Sequence, residues 1–202
     1  MLYHVFRGVT VSLNRIKGNE QFMKKIALLA FVATFIMLEC RAIELPKPPD
    51  GFIWQEIPEL KAAFLKPNGW FFKQEMQKGT LAYFITKENL EQNGQFDTGL
   101  TINVFKFKKD SAVDHGKVLI GNMALKHHVE MWSRTYGPFK EFGCELTDTD
   151  ASGTIRMHAL TIANPKTNTL YLFIFESPIA NADAAWKIGK QIMDTLAIDD
   201  DV

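Results

Sequence analysis

The chain has two cysteines in 202 residues, Cys40 and Cys144, too few for a disulfide framework. It has no Gly-x-Ser-x-Gly elbow and no phosphate-cradling glycine loop, which removes the commonest hydrolase and nucleotide-binding readings. Internal repeats and low-complexity tracts are also missing, so solenoids and disordered arrays are excluded. Net charge is zero, and from Ile43 onward 17 basic side chains face 21 acidic ones, a balance of −4. Nucleic acid needs a surplus of Lys and Arg gathered on one face, and this chain does not supply it. The apolar run Ile26 to Leu38 is 13 residues, whereas a helix crossing the hydrocarbon core needs about 20, so no permanent membrane span is expected.

What is present begins with that run. Met23-Lys24-Lys25, the apolar stretch and Cys40-Arg41-Ala42 form the charge, core and cleavage order of a secretory signal. The expected mature start is Ile43, with a periplasmic or secreted destination. Residues 1–22 then read as an upstream extension ahead of the working start at Met23. The competing reading is an organellar transit peptide built on Arg7, Arg15 and Lys17, with no acid before Glu20. Glu39 occupies the place where a lipoprotein signal needs a small residue, so Cys40 is not expected to be lipidated. Residues 43–51, with three prolines, form an extended tether. Residues 52–198 form one domain, and 199–202 an acidic tail.

Phe52, Trp54 and Ile57 sit in a short irregular segment, and Pro58 to Lys61 makes a single helical turn or corner. Three strands follow, Ala62 to Lys66, Trp70 to Met76 and Leu81 to Thr86, with Pro67-Asn68-Gly69 as the first reversal. Glu88 to Asp97 is a polar surface loop. Gly99 to Phe107 is a strand whose apolar phase switches after Val104, which calls for a bulge or for two covered faces. A helix is expected over Ala112 to Trp132, burying an arc of Val118, Ile120, Gly121, Ala124, Leu125, His128, Val129 and Trp132, and ended by Tyr136-Gly137-Pro138. Gly116 and Gly121 inside it point to a frayed start or a close helix-to-sheet approach. A meander comes next, Phe139 to Thr147, Gly153 to Ala163 and Thr169 to Glu176, and its last strand is apolar on both faces and therefore central. Asn181 caps a final helix with the stripe Ala185, Ile188, Ile192 and Leu196, flanked by Trp186 and Met193. The fold class is α+β, an antiparallel sheet of about six or seven strands covered by helices, in the order βββ-β-α-βββ-α.

That order, with the Pro67-Asn68-Gly69-Trp70 corner early and the helix from Ser177-Pro178 through Trp186 to Leu196 last, resembles the PsbP-like superfamily. This group takes in the photosystem II extrinsic protein, DcrB-type exported bacterial proteins and a nuclear Ran-release factor. The likeness spans Phe52 to Ile198. It implies an antiparallel sheet covered by helices and a binding or assembly role without enzymatic activity.

The residues capable of chemistry are few. His127 and His128 point about 100° apart on a helix and cannot chelate one ion together. His127 with Glu130 or Met131 has workable spacing, and Asp148 with Asp150 could reach one calcium, but a core histidine at 128 and an ordinary acidic turn are the simpler readings. Cys144 has no base or oxyanion motif around it and reads as an apolar filler or edge residue. No catalytic residue, metal or cofactor is expected. Trp54, and Phe96 beside Asp97, are the aromatics least explained by burial, and they are the candidate contacts for a protein partner. The rival readings are a small hydrolase or metal-dependent enzyme assembled from distant residues, and a small-ligand carrier.

Overall fold

The first covered strand, Ala62–Pro67 (β2), is buried along its whole length. It can be, because it lies in the middle of a small antiparallel sheet between Phe52–Ile57 (β1) and the two-residue Ala197–Ile198 (β10). The computed structural model describes residues 45–77, 79–150 and 153–201, and Lys47–Val202 forms a compact unit by itself. The signal segment lies outside the described residues.

The second sheet has seven antiparallel strands: Phe71–Gln77 (β3), Thr80–Thr86 (β4), Gly99–Lys106 (β5), Met131–Tyr136 (β6), Phe139–Asp150 (β7), Gly153–Asn164 (β8) and Thr169–Pro178 (β9). Their spatial order is β3-β4-β5-β9-β8-β7-β6. The doubly apolar β9 is the middle strand, as its two-faced composition requires. Its Tyr171, Phe173 and Phe175 stand on one face, opposite Val104, Ile102 and Leu100 of β5. This inner face carries the main core, closed by Phe64 of the small sheet and Ile192 of the final helix, Ala182–Asp194 (α3). The other face is covered by Ala112–His127 (α2), whose Ile120 and Ala124 pack on Phe142, Cys144 and Ala159. A four-residue helix, Leu90–Asn93 (α1), capped by the Asn89 side chain, lies within the polar loop Glu88 to Asp97.

Several expectations are corrected. Phe52–Ile57 is a strand, because pairing with the buried β2, from Phe52 opposite Pro67 to Ile57 opposite Ala62, satisfies the backbone groups of both. Pro67-Asn68-Gly69 does not join two strands of one sheet. Trp70 N–H closes the turn on the Pro67 carbonyl at 3.2 Å with Gly69 at φ 80°, and the chain passes there from the small sheet to the large one. The phase switch in β5 is two covered faces, not a bulge, since Phe105 and Phe107 pack beside Ala112 on the α2 side. Asp148 and Asp150 are strand residues of β7, and Asp199 to Asp201 pair with lysines instead of trailing free.

The largest correction concerns α2, which stops at His127. His128 takes the left-handed conformation, φ 54° and ψ 41°, and its N–H bonds back to Ala124 and Leu125. The buried positions are Ala112, Gly116, Ile120 and Ala124, while Val118, Leu125 and His128 are exposed. Small residues face the sheet so that the helix can approach it. A Cβ on Gly116 would lie 2.9 Å from Leu170 Cδ1 and 3.0 Å from Thr161 Oγ1. Gly121 has only Met131 Sδ nearby, at 4.0 Å, so Gly121→Ala should stabilise the domain by about 0.5 to 1 kcal/mol through helix propensity alone. Urea unfolding measures this, and a loss of stability would show that the helix is crowded there.

Candidate interaction surface

The inner face of the large sheet is covered by α3 and the small sheet over β4, β5, β9 and β8. Beyond α3, the hairpin of β6 and β7 presents Trp132, Arg134 and Tyr136 from one strand, opposite Gly143, Glu141 and Phe139 from the other. Gly137-Pro138 joins the strands as a two-residue turn. Gly137 at φ 54° supplies the positive first corner of a type II′ reversal, and the proline that follows fits the negative φ of the second.

All six residues of β6 are exposed, and β6 is an edge of the sheet. Trp132 is 44% exposed and Tyr136 71%. The Trp132 indole lies across Gly143, where a Cβ would come within 2.2 Å of its ring, so glycine at 143 is what lets the ring lie down on the sheet. Arg134 reaches back over that ring, its guanidinium carbon 5.5 Å from the centroid, and bonds the carboxylate of Glu141, which is buried. The result is a flat strip of tryptophan, arginine and tyrosine along an open strand. Sequence reasoning missed it because Val129 and Trp132 continue the helical arc on paper. The alternation of Trp132, Arg134 and Tyr136 before Gly-Pro was the available strand signal.

A second cluster lies under α3. His158 of β8 stacks on Trp186 with ring centroids 3.5 Å apart and planes 3° from parallel. Its Nδ1 is 3.7 Å from Glu145 Oε2. Arg156 links the same Glu145, 3.5 Å away, to Asp183 in the first turn of α3 at 2.6 Å. His158 Nε2 is buried without a hydrogen-bond partner among the described residues. Burial therefore pushes the imidazole below its ordinary pKa, with Glu145 opposing and Arg156 reinforcing the shift. The unfolded chain then binds a proton more readily than the folded one, so stability is lost as pH falls from about 6.5 toward the lower folded value. Urea midpoints between pH 7.5 and 5.5 should show this drop, and His158→Phe, which keeps the stack, should flatten it. An unchanged slope in the variant would assign the drop to other groups.

The candidates read from the sequence occupy separate places. Trp54 is half-buried in β1 of the small sheet. Phe96 is half-buried with its ring edge-on to Phe84 at 6.5 Å, and the Asp97 N–H donates to Glu88 Oε2 at 3.2 Å. His127 and His128 stand on either side of the end of α2. Cys144 is buried, and burial pushes its thiol up, away from the reactive thiolate. The carboxylates of Asp199, Asp200 and Asp201 lie within 4.8 Å of one another, close enough for a cation, but Lys61 and Lys166 already pair with them. No helix among the described residues is long and apolar enough to cross a membrane.

No protein-family model matches the chain, and no curated protein matches its sequence. Solved structures do match. The solution structure of cyanobacterial PsbP (CyanoP) from Synechocystis sp. PCC 6803 aligns over 80% of this chain and 98% of its own, at 11% identity and a TM-score of 0.51. A protein of unknown function from Pseudomonas aeruginosa aligns over 73% and 97%, at 12% identity and 0.46. The Saccharomyces cerevisiae Ran-binding protein Mog1p aligns over 73% and 95%, at 9% identity and 0.43.

Proposed function

From a chain with the PsbP-like fold, we propose an exported, non-catalytic protein-binding or assembly factor that takes an extended segment of its partner alongside β6. The observation that carries this reading is the fully exposed edge strand with Trp132, Arg134 and Tyr136 on one face. An open strand offers unpaired backbone groups to an incoming strand, and Trp, Tyr and Arg are the side chains that most often dominate binding energy. The absence of catalysis is part of the proposal. The thiol of Cys144 is buried, and one face of the His158 ring is covered by Trp186. Trp54 of the small sheet, with Phe96 and Asp97 in the loop before β5, is proposed as a secondary contact.

Cross-linking in intact cells tests the binding. Trp132→Asp should reduce partner retention about tenfold or more, as loss of a central aromatic contact does, with the melting temperature as a check on folding. Trp54→Ala and Phe96→Ala should reduce it less. The same purified protein should turn over no ester, phosphate or peptide substrate, with or without zinc, calcium or magnesium. Metal-stimulated turnover abolished by changing His127 or Asp148 would favour the enzyme instead. Export is proposed on Met23 to Ala42 and predicts an intact mass beginning at Ile43. Unprocessed protein recovered from the cytosol would refute it.

A further inference from the structure

The two edges of the large sheet are built differently. β3 carries Lys73, Gln74, Glu75 and Gln77, with Lys73 and Glu75 paired at 2.7 Å, and charged side chains of this kind keep an edge from pairing with another strand. β6 has no proline, no lysine and one charge, Arg134, which pairs across the hairpin with Glu141. The Trp132 ring is folded back over Gly143 and leaves the edge clear.

Glu130, the exposed residue just before β6, shares the alternation phase of Trp132 and Arg134. An antiparallel strand of the same sequence, related by a two-fold axis through Trp132, sets Glu130 opposite the second copy's Arg134 and Arg134 opposite its Glu130. Met131 then faces Ser133 in both directions, and no like charges meet. Arg134 bonds Glu141 but keeps an exposed guanidinium, with donors to spare for a second carboxylate. A two-fold axis through Arg134 would instead oppose two arginines. Resting on the strand-addition reading above, we propose that the strand received by β6 is β6 of a second copy, in the register that places Trp132 against Trp132 and makes two Glu130–Arg134 pairs across the axis. Such a contact is isologous and closes after two chains, joining the seven-stranded sheets edge to edge.

The full-length chain with Cys40→Ser provides the test. Under mild oxidation Trp132→Cys should form a disulfide-linked dimer, because directly opposed Cβ atoms lie about 4.5 to 5.5 Å apart. Tyr136→Cys should not, since in this register the two sites are about 26 Å apart along the strands. Glu130→Lys, at an exposed position, should raise the dimer dissociation constant measured by sedimentation about tenfold or more. A monomer at every concentration with no Trp132→Cys dimer, or a Tyr136→Cys dimer in its place, overturns the proposal. If the second copy fails while Trp132→Asp still abolishes cross-linking to another protein, strand addition stands with a different occupant. If both results are negative, β6 is not a binding edge.

Discussion

Gly189→Ala should destabilise the domain by about 2 to 3 kcal/mol, although alanine is the better helix former by about 1 kcal/mol. Gly189 lies on the face of α3 that rests on β9, and a Cβ there would stand 2.5 Å from the ring of Phe175. The ring cannot give way cheaply. It is fully buried, and Trp186 lies against it with centroids 5.5 Å apart. The helix would have to lift, taking Trp186 off His158 and Asp183 away from Arg156. For a domain of this size a loss of 2 to 3 kcal/mol lowers the melting temperature by roughly 5 to 10 °C. The opposite sign expected at Gly121 makes the pair diagnostic, since both are glycines within helices and only their surroundings differ. A neutral or stabilising Gly189→Ala would mean that α3 packs less closely than described.

Removing Arg134 is the second large effect. An exposed ion pair such as Lys190–Asp194, at 2.5 Å, contributes about 0.5 kcal/mol because water screens both partners. Glu141 differs in being 3% exposed, so losing its cation leaves a carboxylate charged and poorly solvated. Arg134→Ala should therefore cost about 3 kcal/mol in urea unfolding at pH 7.5, with Lys190→Ala as the control. Adding Glu141→Gln to Arg134→Ala should recover much of the loss, since the amide removes the buried charge. Equal small losses for Arg134→Ala and Lys190→Ala would show that water reaches Glu141. The measurement also separates stability from binding, because Trp132→Asp acts on the same strip and keeps both Arg134 and Glu141 in the chain.

Local pattern was enough to read most elements. The two-faced Leu170 to Phe175 run placed β9 centrally because only a strand covered on both sides keeps both faces dry, and the stripe through Ala185, Ile188 and Ile192 described α3. The likeness to the PsbP-like fold was legible for the same reason, since element order is a local property repeated along the chain. The interaction surface was not. Val129 and Trp132 satisfy the helical period, and nothing within the sequence shows that His128 will turn left-handed and end the helix. That outcome depends on β7, a partner strand whose Gly143 makes room for an indole and whose Glu141 takes a guanidinium.

By itself the sequence determined β2 to β5, β7 to β9, the presence of the two long helices and the central place of β9, because hydrophobic period and turn chemistry act over a few residues. Only the tertiary structure decided that β2 and β3 part into different sheets at Gly69, that small residues of α2 face inward, and that Trp132 lies on an open edge. Each of those depends on what stands opposite a residue in space. Pairing between distant strands sets that neighbour, and periodicity along one segment carries no record of it.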